Sequence, residues 1–455
     1  MIPLNSDLEM ARAIAARVRD AGGTAYFVGG YVRDLLLGIE NKDIDIEVHG
    51  IFPEKLTEIL GTLGEMTSFG ESFGIFGLRH RHLDIAMPRS ERAVGPGHKD
   101  FLCTMDPFIG TYQAAIRRDF TVNALMQDIC TGKVVDHFGG LDDLRSGVLR
   151  HMDDARFAED PLRVLRGAQF AARFGFRIAP ETVELCRRMD LTTLAPERIF
   201  GELEKALLKA EHPSVFFSSL RAMDQLGFWF PEAEALIGVP QPAQYHPEGD
   251  VWTHTLLVLD AAAALRPEAE NPIGLMLSAL CHDLGKAETT RIEEDGKLHA
   301  LGHEAAGLPL TDRLLSRITN EKKLKQYVRN MVELHMLPNQ LAAQNAGRKS
   351  FNRLFDRSVS PEDLLLLCKA DSLGSCLPPE SYAPTEALLR ERLSEFHALM
   401  ARPYVTGADL IAAGAKPGVT FHDALVYAHK LRLAGVPKKE ALAQTLSYLK
   451  KQLPI

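Results

Sequence analysis

The sequence predicts a multidomain α+β protein: a head in which a mixed sheet packs with helices, followed by a remainder that is almost wholly helical. Three observations lead there. Through the first ~145 residues, short β-rich runs alternate with helical segments. Beyond Gly147 the apolar periodicity changes to long helices with hardly any strand. Hydrophobic residues at 46% and charged residues at 25% of 455 positions are ordinary globular values, enough to fill several cores. A chain of this length corresponds to about three domains of usual size.

Leu8 to Ala21 has helical spacing and stops at Gly22-Gly23; Thr24 to Val28 is β-rich; Tyr31 to Leu37 is helical again after Gly29-Gly30. Asp43 to Val48 alternates carboxylates with apolar residues at period two, as a half-buried strand does. Ile75 to Leu78, His82 to Met87, Thr121 to Gln127 and Lys133 to Asp136 are further strand candidates, and Arg89 to Gly110 reads as a flexible segment. Asp160 to Phe174, Pro180 to Asp190, Pro196 to Lys209 and Asp250 to Ala264 are helical. The Pro/Gln-rich run Gly238 to Pro247 reads as a linker, and Leu377 to Pro384, with three prolines, as another break. The expected divisions are 1–150, 151–240, 241–385 and 386–455.

Several classes are excluded. The longest apolar stretch, Leu275 to Cys281, ends at His282 and falls short of the ~18–20 residues that span a bilayer. Charges interrupt what would be the apolar core of a signal peptide. Cysteines at 103, 130, 186, 281, 368 and 376 form no CxxC pair, so reduced thiols and a cytoplasmic location are expected. The formal charge of −8 does not exclude nucleic acid, because binding needs only a local basic face. From Arg402 onward eight Lys/Arg stand against three Asp/Glu, a local +5. On charge alone, a solvated helical surface is the simpler account of that run.

The chemistry is carried by motifs. Gly29-Gly30-Tyr31-Val32-Arg33-Asp34 lies between a strand and a helix, where glycines let backbone N–H groups approach phosphate; a plain tight turn has the same pattern. Asp43-Ile44-Asp45 places two carboxylates on one strand face, about 6–7 Å apart, where they repel unless a cation lies between them. Asp84 is a candidate third carboxylate from a neighbouring strand. Arg117-Arg118-Asp119-Phe120-Thr121-Val122-Asn123 adds arginine forks suited to phosphate and an amide suited to ribose or phosphate. In Glu159-Asp160-Pro161-Leu162-Arg163, Asp160 and Arg163 share one helix face. They form either an N-terminal acidic cap with an i,i+3 ion pair or a base reader, with Asp accepting from the amine of C or A and Arg donating beside it. G and U present the opposite polarity and would leave both buried groups unpaired.

Taken in this order, the GGxVRD, DxD, RRDFTVNAL and EDxxR motifs resemble the class II tRNA nucleotidyltransferase/poly(A) polymerase family. The resemblance implies a DNA polymerase beta-type nucleotidyltransferase head followed by an all-α neck, body and tail. It further implies catalytic Mg²⁺ on Asp43 and Asp45, and nucleotide contacts from Gly29, Gly30, Arg33, Arg118, Asp119, Asn123, Asp160, Arg163 and Arg166. Ala168 to Phe174 and Pro196-Glu197-Arg198-Ile199 are similar to that family's neck motifs, with Gln169 where arginine is more usual. Val405 to Leu410 with Lys416-Pro417-Gly418 resembles its tRNA-contacting tail.

A second constellation follows: His254, then His282-Asp283, then His303, His335 and Asp371. The order H…HD…H…H…D resembles the HD phosphohydrolase superfamily, and HPEGDVWTHTLLVLD with ALCHDLGK resembles CCA-adding enzymes that carry an HD domain. Imidazole with carboxylate suits Mn²⁺, Fe²⁺, Ni²⁺ or Mg²⁺, so the sequence leaves the metal's identity open. The function implied is template-independent addition of CCA to tRNA from CTP and ATP, with an additional phosphohydrolase centre. The alternatives are an enzyme adding only CC or only A, a poly(A) polymerase, or an HD phosphohydrolase with an RNA-binding head. Oligomeric state is not legible.

Overall fold

A computed structural model describes residues 4–67, 75–93, 101–293 and 297–452. The chain divides into two compact units, Met1–Ala206 with Val215–Gln225, and Leu207–Ser214 with Leu226–Ile455.

The first unit opens with a helix, Leu4–Asp20, that buries Ala11, Ile14, Ala15 and Val18, the spacing of one helical face. Its strands are β1 (Thr24–Val28), β2 (Ile44–His49), β3 (Met66–Thr67), β4 (Ile75–Leu78), β5 (Leu83–Ala86), β6 (Arg89–Ala93), β7 (Phe101–Met105), β8 (Met126–Asp128) and β9 (Val134–Val135). Seven of them form a mixed sheet in the order β3-β4-β5-β2-β1-β8-β9. The pairing of β2 with β5 is parallel and the other pairings are antiparallel, which sets Asp45 directly beside Asp84. Helices Leu162–Phe174, Pro180–Arg187 and Pro196–Lys209 follow; the first starts two residues after Asp160, which lies outside it, the second ends at Arg187, short of Asp190, and the third has the bounds expected.

Three further expectations change. Asp43 stands just before β2, its N–H donating to Asn41 Oδ1 at 3.0 Å, so only Asp45 of the pair lies within the strand. Thr121 to Gln127 is not one strand: Thr121–Asn123 is a 3₁₀ turn and β8 starts at Met126. Side-chain bonds hold that turn, from Thr121 Oγ1 to Asp143 and from Asn123 Nδ2 to Asp119 at 2.7 and 2.8 Å, and they override β propensity. Arg89 to Gly110, expected to be flexible, carries the antiparallel pair β6–β7; its residues 94–100 lie outside the described ones.

In the second unit the helix Val251–Leu265 is buried on most sides and forms a central post. Asp250 caps its start by accepting from Thr253 N–H at 2.9 Å. Helices Pro272–Cys281, His303–Ile318, Lys322–Leu334 and Pro361–Gly374 complete the core of this unit. Among the described residues no helix is long and apolar enough to cross a membrane.

Candidate functional site

Two sites emerge, one in each unit. In the first, a cavity of about 410 Å³ is lined by Gly29, Gly30, Arg33, Asp45, Arg118, Asp119, Asn123, Asp160, Arg163 and Arg166, together with Leu162, Phe170 and Arg198. Residues from β2, from the turn before the helix Gly30–Leu36, from the Arg118–Asn123 turn and from the helix Leu162–Phe174 therefore meet in one place. Gly29 has φ +65°, and a Cβ there would stand 3.1 Å from Arg118 Nη1 and 3.6 Å from Asp45 Oδ2, so glycine keeps this corner open.

The cavity wall is a tied network. Arg33 is buried; its Nη1 donates to Asn123 Oδ1 at 2.6 Å, and its Nε and Nη2 donate to Asp34 at 2.8 and 2.6 Å. Asp119 accepts from Asn123, from the Phe120 N–H and from Arg166 at 2.7–2.8 Å. Burial alone would raise the Asp119 carboxyl, but the Arg166 charge and these bonds outweigh it and hold the carboxyl below its usual value. Asp119 thus orients Arg166 and Asn123.

Asp160 and Arg163 do not pair with each other. Asp160 Oδ1 accepts from Leu162 N–H at 3.1 Å and Oδ2 from Arg198 at 2.9 Å. Arg163 donates to the carbonyls of Arg156 and Arg117. The ion pair between these two is not formed, since each has another partner, while Asp160 does accept from the N–H at the start of the helix. Arg198 was visible only as part of a neck motif; its partner lies 38 positions away, beyond the reach of local pattern.

Across Asp45 and Arg118 a second cavity of about 250 Å³ is lined also by Glu47, Asp84, Arg89 and Arg117. Burial pushes the Asp45 carboxyl up to about 6; Arg118 opposes this, while Asp84 and Asp43 add to it. Asp45 is half-buried, and Asp84 and Asp43 are exposed beside it; a divalent cation here would remove their repulsion, but the three carboxylates do not all lie within 4.8 Å of one another as the ligand groups of the second unit do. Glu47 is held down at about 2: burial opposes ionisation, but the bond from His49 and the charges of Arg118 and Arg117 prevail. The period-two run Asp43, Asp45, Glu47 was the signal for Glu47, which sequence reasoning left unassigned.

One stability consequence follows. Asp45 titrates near 6 folded against about 4 unfolded, so the folded state binds more protons between those values and loses stability as pH rises through them. Asp45→Asn should therefore stabilise the metal-free chain by at most about 3 kcal/mol above pH 6, and by almost nothing at pH 4. Denaturant unfolding with chelator at pH 5 and pH 8 checks this; an equal gain at both would contradict it.

The second site gathers all six residues expected from the H…HD…H…H…D order. His254, His282 and Asp371 form one group of ligand atoms and Asp283, His303 and His335 another, each within 4.8 Å. Asp283 joins them, with Oδ2 3.2 Å from His282 Nε2 and Oδ1 3.3 Å from His303 Nε2. Nδ1 of His282, His303 and His335 donates to the carbonyls of Ala279, Ala300 and Val332 at 2.7–2.8 Å, which leaves each Nε2 facing the cluster. His254 instead directs Nδ1 to Glu248 at 2.8 Å. Buried His282 Nε2 has no hydrogen-bond partner, and the Nε2 atoms of His303 and His335 face each other at 3.3 Å. Such a donor set fits divalent metal. Gly285 of the HDLGK run passes so close to the start of the helix His303–Ile318 that a Cβ would lie 2.0 Å from the His303 carbonyl oxygen, which brings the Asp283 turn against His303. Glu248 and Lys286, whose Nζ lies 2.7 Å from Asp283, were not assigned from sequence; both sit in quoted motifs.

Three family models match: the poly A polymerase head domain over residues 25–150, the probable RNA and SrmB-binding site of polymerase A over 175–237, and the HD domain over 251–374. The multifunctional CCA protein of Actinobacillus pleuropneumoniae serotype 5b is 41% identical over 361 residues, covering 77% of this chain and 85% of that protein. This chain belongs to the multifunctional CCA protein family. Another multifunctional CCA protein, from Nitrosococcus oceani, is 39% identical over 398 residues, with 86% and 93% covered. The fold is shared with the Thermotoga maritima CCA-adding enzyme complexed with tRNA (TM-score 0.64, 21% identity, 97% and 95% covered). It is shared also with the Bacillus stearothermophilus CCA-adding enzyme in complex with CTP (TM-score 0.67, 22% identity, 99% of each chain). As a multifunctional CCA protein family member, the chain combines a nucleotidyltransferase head with an HD domain.

Proposed function

We propose that this chain adds C, C and A to the 3′ end of tRNA, using CTP and ATP without a nucleic-acid template. The observation that carries the reading is the single cavity uniting Asp45 with Gly29, Gly30, Arg118, Asp160 and Arg163. In this reading Asp43 and Asp45 hold Mg²⁺, which when bound activates the 3′-hydroxyl and neutralises the triphosphate. Gly29 and Gly30 admit the phosphates close to the backbone, and Arg118 pairs with them. Asp160, oriented by Arg198, accepts from the exocyclic amine of C or A while Arg163 donates beside it. The 3′-hydroxyl gives up its proton to solvent as its oxygen bonds to the α-phosphorus, the bond from that phosphorus to the α–β bridging oxygen breaks, and diphosphate leaves.

Residues 1–150 are then the catalytic head and 151–240 the neck and body that select the base and contact RNA; 241–385 form the HD domain and 386–455 a tRNA-binding tail. The site of action is the cytoplasm. The register of Asp84 with Asp45 supports a third carboxylate near the proposed metal site. Supplying tRNAs that end before each position of CCA, one labelled nucleotide at a time, separates full addition from CC-only, A-only or poly(A) synthesis. No incorporation on any of them would favour the HD phosphohydrolase with an RNA-binding head.

Asp160→Ala should relax discrimination against UTP and GTP by roughly tenfold or more, because the carboxylate would no longer face the carbonyl oxygen that U or G presents in place of the amine. Comparing kcat/KM for all four nucleotides tests this; equal slowing with each would remove Asp160 from base selection. A second activity is supported by the six-residue cluster: divalent-metal-dependent hydrolysis of small phosphoesters, such as a 2′,3′-cyclic phosphate at an RNA end.

A further inference from the structure

Glu47 follows Asp45 by two residues on β2, so both project from the same side of the strand. It is 1% exposed, and its two oxygens are divided between partners. Oε1 lies 2.9 Å from His49 Nε2, while Oε2 accepts from Arg117 Nη2 at 3.1 Å and stands 3.6 Å from Arg118 Nη2. His49 is itself held edge-on against Tyr26, with ring centroids 5.3 Å apart. Arg118 is the cation that borders both cavities meeting at Asp45. Among the described residues, Glu47 is the one carboxylate within ion-pair distance of it.

This arrangement answers a physical conflict. A guanidinium fork matches a carboxylate bidentately, so an arginine beside Asp45 competes with a divalent cation for the same lone pairs. Phosphate binding nevertheless requires an arginine at this corner. Glu47 offers the forks an alternative anion, two residues along the same strand face.

We infer that Glu47 is a positioning residue that draws Arg117 and Arg118 off Asp45, leaving Asp45 open to metal and Arg118 turned toward the triphosphate. The inference rests on the proposed metal role of Asp45. Removing the charge lets Arg118 settle on Asp45 and weakens metal binding; shortening the side chain while keeping the charge does not.

The test uses the full chain with Glu47→Gln and Glu47→Asp. Mg²⁺ dependence of CTP incorporation, tRNA affinity and Mn²⁺ binding by electron paramagnetic resonance are measured, the head's share of Mn²⁺ being the part lost in Asp45→Ala. Glu47→Gln should raise the half-saturating Mg²⁺ and the head's Mn²⁺ Kd about tenfold, with tRNA affinity retained, and Glu47→Asp should shift them far less. The inference is overturned if Glu47→Asp is the worse variant, if metal dependence is unchanged in both, or if Glu47→Gln does not fold, since each assigns Glu47 to packing. Asp45→Ala that keeps both incorporation and its Mn²⁺ would instead remove the metal reading itself. Loss of both in Asp45→Ala, with normal metal binding in Glu47→Gln, would leave that reading standing and Glu47 without the role.

Discussion

Replacing Asp43 and Asp45 together with Ala should reduce nucleotide incorporation by on the order of 10³-fold or more, about 4 kcal/mol of transition-state stabilisation. Binding of tRNA should change little, because in the proposed reading phosphate contacts outside the head would supply most of that affinity. The effect is large because two jobs fall together: activation of the attacking hydroxyl and neutralisation of the triphosphate. The two positions are unequal. Asp45 is partly buried within β2 and borders both cavities, whereas Asp43 precedes the strand and is exposed. Asp45→Ala should therefore be the more severe single change. Single-turnover incorporation of labelled CTP, with tRNA affinity measured in parallel, decides it. Substantial incorporation by the double variant would remove these carboxylates from catalysis.

His282→Ala with Asp283→Ala should lose divalent-metal-dependent phosphohydrolysis to background while nucleotide incorporation stays near normal. Asp283 connects the two ligand groups and His282 Nε2 is one of the atoms with no other partner, so removing both dismantles the centre. The metal-free cluster is also proton-sensitive. Burial opposes a proton on His254, yet its bonds to Asp371 and Glu248 outweigh this and raise its pKa to about 9. A metal must displace that proton, so loading of the HD cluster should strengthen as pH rises toward 9. Metal analysis of the purified protein at pH 6 and pH 8.5 reads this directly. A chain that holds no transition metal at either pH, and cleaves no phosphoester with Mg²⁺, Mn²⁺ or Ni²⁺, would make the cluster structural.

Much of both sites was legible because each motif is local and chemically unusual. A GG turn, a DxD on a β-rich run, paired arginines and an HD dipeptide are short patterns whose residue types suit few other purposes. The helical body was legible from 3.6-residue periodicity, and Pro196 to Lys209 matches its observed helix end for end. The boundary at Asp43 and the 3₁₀ turn at Thr121 were not. There, side-chain hydrogen bonds to Asn41 and Asp143 compete with strand pairing, and propensity carries no information about such partners.

By itself, the sequence determined the family, the order of head, helical body and HD domain, and the residue types that do chemistry. Tertiary structure alone decided who partners whom. Asp160 stands three residues before Arg163 in the chain, yet packing gives it Arg198. Asp84 meets Asp45 only because β5 lies parallel to β2 in that register. Glu47 gains two arginines 70 and 71 positions away, and Asp371 reaches His254 across 117. Periodicity reports which face of an element is buried; it does not report which other face it is buried against. That choice depends on how the apolar surfaces of distant segments fit, and the polar partners at the rims of those contacts follow from it.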